Sequence, residues 1–260
     1  MNDTKRISIL LIIVLLLLPA GTPAAQDLSP EWKWMITRLQ HGAIHDNPQE
    51  VREAASFFED VQSGPLPADM VSLAQYTVAY ADYQLSVMPE VPPAEQKRRL
   101  DQAQAILEQL TESDVSFAEA YALLATVYGI EIGRSGLKGM FLGHKSSSAM
   151  ERAAKLEPNN PRVVMQEGIG AFFTPKIFGG GQAKAEALLR RASVLFDREP
   201  PDHAWPNWGR AEVHVWLGLV LAKRGDKASA REEYQRALAI APDLEWVRRV
   251  LLPQLGTIKW

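Results

Sequence analysis

The sequence predicts an all-α chain assembled from helical hairpins. Three observations predict it. Residues 211–243 (AEVHVWLGLVLAKRGDKASAREEYQRALAIAPD) space their small and large residues as two antiparallel helices joined by a tight turn. The same spacing returns upstream, at 161 and at 118. No alternating apolar/polar run competes for a strand anywhere in the chain.

In the 211–243 hairpin, Gly218, Ala230 and Ala237 stand where the helices must approach closely, and Leu217, Leu221 and Tyr234 fill the gaps between them. Gly225 marks the turn and Pro242 the end. This pattern resembles the tetratricopeptide repeat, a hairpin of about 34 residues that stacks on its neighbours. His214 stands where that family has an aromatic, with Trp216 two positions on. The resemblance implies a solenoid of four to five hairpins in a right-handed superhelix, and proteins of this kind bind rather than catalyse. It resembles exported bacterial members of the family.

From the N-terminus, Lys5 and Arg6 precede an apolar run over 7–18, followed by Pro19 and a small-residue stretch ending at Ala24 and Ala25. That order is expected of a secretory signal peptide over 1–25, with a retained membrane anchor as the alternative. The run is shorter than the roughly 20 apolar residues a spanning helix requires. The chain has no cysteine, so neither a disulfide nor a lipidated cysteine is available. A periplasmic or secreted location follows, with no membrane span once the signal is removed.

A capping hairpin is expected over 26–62, with helices over 30–40 and 49–61 and a turn at Asp46-Asn47-Pro48. The repeat region is expected over 63–243. Its first helix covers 70–88, with Tyr76, Tyr80 and Tyr83 on one face. Pro89, Pro92 and Pro93 break it from a partner carrying Ala103, Leu107 and Leu110. In the hairpin from 118, Tyr121, Leu124, Ala125 and Tyr128 match the family's first helix, and Ala153 and Pro158 the end of its second. Its turn is nine residues too long, and the excess falls in the glycine-rich stretch 133–143. In the hairpin from 161, Gly168 takes the place of Gly218, and Ala185, Leu189 and Ala192 repeat the second-helix spacing. Here the excess is five residues, within 174–181. Equivalent insertions in a solenoid line up along one edge, and Lys138, Lys145 and Lys176 make that edge locally positive. A capping helix over 244–260 is expected to close at Pro253.

The resemblance also implies a concave surface lined by the first helix of each hairpin. Carried onto this chain, it is lined by Arg162, Met165, Ile169, Phe172 and Phe173; by Glu212, Val215, Leu219, Ala222 and Lys223; and by Glu119, Ala122, Thr126, Gly129 and Ile130. Arg162, Met165, Ile169, Phe172, Phe173, Val215, Leu219 and Lys223 are the candidate binding residues. Either this face is open to a ligand, or the chain folds over it and makes it core.

Other motifs carry less chemistry. Residues 139–146 (GMFLGHKS) have three residues between their glycines and a histidine before the lysine, so they fail as a phosphate loop; a glycine-rich edge loop is expected instead. His41 and His45 are four apart and could share a metal, but no third ligand accompanies them. His203 lies in the linker 200–210 (PPDHAWPNWGR) without a metal partner nearby, and Trp205 and Trp208 of that linker are expected to plug a gap between repeats. There is no cysteine nucleophile and no GxSxG elbow. The formal charge is −3, and −4 once Asp3, Lys5 and Arg6 leave with the signal, so nothing suggests a nucleic-acid partner.

The function expected is that of a non-enzymatic, exported binding scaffold for a protein or peptide partner, with no cofactor. The alternatives are an apolar small molecule bound for a transport system, and an enzyme with a metal site near His41 and His45.

Overall fold

In the computed structural model the described residues are 28–135, 139–200 and 205–255. The expected signal peptide, His203 and residues 256–260 lie outside them. The chain is an all-α helical-repeat solenoid. Among the described residues, ten helices form five successive hairpins: α1 (Pro30–Ile44) with α2 (Pro48–Gln62), α3 (Ala68–Val87) with α4 (Pro93–Ser113), α5 (Ala118–Arg134) with α6 (Gly139–Leu156), α7 (Pro161–Phe173) with α8 (Gln182–Arg198), and α9 (Glu212–Lys223) with α10 (Lys227–Ile240). Each hairpin packs on the next, and α3, α5, α7 and α9 also touch in sequence.

The helix starts follow local chemistry. Asn47 and Asn160 each precede a proline at the first helical position, and each side-chain oxygen accepts from the next two backbone amides. Asp226 accepts from the Ser229 amide in the same way. The close approaches are real. A Cβ on Gly218 would lie 2.2 Å from Tyr234 Cε1, and one on Gly168 2.9 Å from Leu189 Cγ. Ala230, Ala237, Ala185 and Ala192 are all completely buried.

Two elements differ from expectation. The glycine-rich stretch 139–146 is helical, forming the first two turns of α6 rather than an edge loop. Glycine in a helix interior costs only about 1 kcal/mol, and this helix is long enough to absorb it. The C-terminal helix does not close at Pro253. It widens into a π-helical turn (Val247–Leu251), and Pro253 sits in the short α11 (Leu252–Gln254) that continues it. The wider turn moves backbone carbonyls away from the proline ring, which relieves the clash that ends an ordinary α-helix.

One buried acid gives the fold a pH dependence. Asp82 on α3 is 1% exposed and accepts from Arg99 Nη1 of α4 at 2.7 Å. Burial pushes its carboxyl from an ordinary 3.8 up to about 6, against the opposing pull of Arg99. The folded state therefore holds this proton more tightly than the unfolded chain does. The resulting stabilisation is full below pH 3.8 and is lost as the pH rises through about 6. Relative to an Asp82→Asn variant, wild type should gain about 2–3 kcal/mol as the pH falls from 7 to 4. Urea midpoints of the two proteins across that range check it, and a constant difference would contradict it.

Candidate functional site

The first helices of the hairpins present the face on which binding residues were expected. Most of those residues are covered. Met165 and Arg162 are each 1% exposed, and Phe172, Val215 and Leu219 are also buried. Ile169 is half-buried; Phe173 and Lys223 are exposed. In the hairpin from 118, Glu119 and Ala122 are buried, and Thr126 donates to Gln166 Oε1 of α7 at 2.8 Å.

Much of the cover is the linker between α8 and α9. Trp205 and Trp208 are both buried. Trp208 stacks on Tyr80, with ring centroids 5.0 Å apart, and donates its indole N–H to the Tyr76 hydroxyl at 3.1 Å. Trp205 packs edge-on against Tyr80 at 5.6 Å, and its indole N–H is buried without a partner. Gly209 follows closely: a Cβ there would lie 2.6 Å from Phe196 and 3.1 Å from Met165. The linker thus reaches from α7 and α8 across to α3, and Gln40 of α1 donates to Asn207 at 2.6 Å. Sequence spacing had no means of pairing Tyr76 with Trp208, which are 132 positions apart.

Where the linker ends, an aromatic cluster remains partly open. Phe172, Phe173 and Trp216 form a mutual edge-on set, with centroids 5.1 Å apart for the two phenylalanines, 5.8 Å for Phe173–Trp216 and 6.2 Å for Phe172–Trp216. Lys223 Nζ lies 4.6 Å above the Phe172 ring. Phe173 is 68% exposed although two rings anchor it.

Polar groups gather at two other places. Arg162 is held bidentately by Glu199, at 2.6 and 2.9 Å, beneath the Phe196 ring. Beside this pair lies a cleft of about 400 Å³ lined by Glu119, Glu157, Asn160 and Pro206, among others. Asn160 Nδ2 donates to Glu119 at 2.6 Å and to Glu157 at 2.7 Å. Burial, then the Glu157 charge, raises the Glu119 pKa. His214, in the place of the family's aromatic, is buried 2.7 Å from Glu233. His41 and His45 stack at 3.9 Å, with His41 Nδ1 2.5 Å from Glu50 and His45 Nδ1 2.8 Å from the His41 carbonyl. Among the described residues no three His, Cys, Asp or Glu side chains are grouped to hold a metal, and no helix is long and apolar enough to cross a membrane.

The fold and this ring-lined inner face are those of a helical-repeat protein. Residues 211–244 match the family model described as Tetratricopeptide repeat. The chain is 25% identical over 202 residues to Protein O-mannosyl-transferase TMTC1 of Homo sapiens, covering 72% of this chain and 20% of that protein. The Mus musculus protein of the same name is 26% identical over 155 residues, covering 58% and 14%. This chain therefore spans a fifth or less of those relatives' length. Among solved structures, the HusA haemophore from Porphyromonas gingivalis is 20% identical with a TM-score of 0.62, covering 79% of this chain and 96% of its own. A thermophilic TPR protein of Thermus thermophilus, TTC0263, is 18% identical with a TM-score of 0.60, covering 86% and 100%. At these identities the likeness is one of fold.

Proposed function

We propose that the chain is a non-enzymatic, exported binding scaffold that takes a protein partner at the Phe173–Trp216 rim of its inner face. The exposure of Phe173 carries this reading. A ring held in place by two neighbours and left two-thirds bare is costly in water unless something covers it. Tetratricopeptide repeats generally mediate protein–protein contacts, which agrees with it. The linker occupies the middle of the face, so the partner is confined to this end.

The test is a photo-crosslinking residue placed at 170, exposed on α7 one turn before Phe173, followed by recovery of crosslinked protein from an envelope extract. Adding Phe173→Ser should cost about 1 kcal/mol of stability, for the lost edge-on contacts with Phe172 and Trp216, yet abolish capture. Recovery of the bait alone would refute the scaffold.

An apolar small molecule, bound for a transport system, is the second reading. The open aromatic cluster favours it, as does the fold shared with a haemophore. Such a ligand would raise the melting temperature in a concentration-dependent way, and Phe173→Ser would remove that rise.

A further inference from the structure

The turn between α7 and α8 displays apolar side chains that the fold does not use. Lys176–Phe178 is a single 3₁₀ turn with no buried residue, and Ile177 and Phe178 are 85% and 74% exposed. This exposure is built in. The Phe178 amide donates to the Pro175 carbonyl at 2.9 Å and the Gly181 amide to the Ala171 carbonyl at 2.8 Å. Gly180 packs so closely under the turn that a Cβ would lie 2.1 Å from the Thr174 carbonyl oxygen, and Gly179 takes φ 83°. The loop is thus folded back on itself, with the amides of residues 178–181 hydrogen-bonded and two large apolar side chains left in solvent.

Charge distinguishes this edge from the rest of the chain. The stretches 132–150 and 168–185, which include the two turns and the helix ends beside them, contain no Asp or Glu and five Lys or Arg residues, in a chain whose formal charge is −3; of these, Lys145 pairs with Glu108 and Lys184 with Glu167. α5 and α7 pack against each other as equivalent first helices, so their C-terminal ends share one edge of the solenoid. On that edge Phe141, at the start of α6, is 80% exposed.

We infer that the 174–181 loop is a membrane-docking element: Ile177 and Phe178 enter the boundary between headgroups and acyl chains of an anionic lipid surface, and Lys176 stays at the level of the phosphates. A projecting turn offers no flat face for a protein to match, but a fluid bilayer accommodates one. The amides of residues 178–181 are already paired and stay so on docking, while those of Lys176 and Ile177, which have no backbone acceptor, remain at the hydrated headgroup level. Basic residues beside inserted apolar side chains are the pattern of an interfacial anchor.

The absence of cysteine allows a single environment-sensitive fluorophore on full-length Ala183→Cys, exposed beside the loop and sparing Lys176, with Asp69→Cys on the opposite edge as reference. Vesicles of phosphatidylcholine with phosphatidylglycerol should shift the emission at 183 to the blue and leave that at 69 unchanged. Phosphatidylcholine alone, or high salt, should weaken the effect. Adding Ile177→Ser and Phe178→Ser should weaken the vesicle-dependent shift at least about tenfold. The melting temperature should move by no more than about 2 °C, since neither side chain is buried. Because the label reports locally, insertion of the N-terminal apolar run elsewhere in the bilayer does not mimic this result. No shift at 183, or an equal shift in the serine variant, overturns the inference. A shift that grows with protein concentration without vesicles also overturns it, since it assigns the turn to a second copy of the chain.

Discussion

Glu199→Ala is expected to destabilise the protein by about 3–5 kcal/mol, the cost of leaving a buried charge unpaired. Arg162 is 1% exposed and both of its terminal nitrogens bond Glu199, whose own side chain is 9% exposed. With the carboxylate gone, the guanidinium keeps the Phe196 ring, 5.5 Å away, and the longer-range attraction of Glu119 and Glu212, none of which replaces its two hydrogen bonds. Arg210 also loses its nearby counter-charge, although its 2.9 Å bond to the Glu199 carbonyl survives. The damage should therefore spread into the linker that carries Trp205 and Trp208. Replacing both partners by apolar residues, Arg162→Met with Glu199→Leu, should recover most of the loss, because no charge is then left buried. Urea denaturation of the two variants at neutral pH measures both effects. A loss below about 1 kcal/mol for the single variant would mean that Arg162 finds water or another acceptor.

Arg162 also shows where sequence reasoning reached its limit. Its place in the hairpin could be read, because repeat spacing is local, and so could Gly168 against Leu189. Its burial could not, because the covering residues come from the α8–α9 linker, whose path depends on contacts as distant as Tyr76 with Trp208. The linker's tryptophans were legible as plugs, since indoles near proline and glycine are costly in water; their partners were not. Residues 139–146 misled in the opposite way, because a glycine-rich composition suggests a loop while a helix tolerates a few glycines. Ile177 and Phe178 looked like any apolar loop residues, and only the folded-back loop shows that they face outward.

Gly218→Leu is expected to cost more than about 4 kcal/mol and to release the last hairpin, and Gly218→Ala about 2 kcal/mol. The first methyl group alone would sit 2.2, 2.5 and 2.9 Å from three atoms of the Tyr234 ring. That ring is completely buried between Ala230 and Ala237, which are themselves fully enclosed, so it has nowhere to swing. Alanine's better helix propensity returns about 1 kcal/mol, too little to offset the overlap. The loss should stay local. Val215, Leu219, Leu221 and Tyr234 belong to an apolar cluster shared with the C-terminal helical segment, and only Val213, Leu217 and Val220 of α9, with Trp216 packed on both, tie this hairpin to the main core. Stability in a solenoid is approximately a sum over hairpins and their interfaces. Hydrogen exchange should therefore show α9 and α10 unprotected in Gly218→Leu while α3 and α4 keep their protection. Tyr234→Leu, which removes the obstructing ring, should make Gly218→Ala markedly less damaging, and the coupling between the two sites measures the overlap directly. If the two substitutions prove additive, Tyr234 is not what requires glycine at 218.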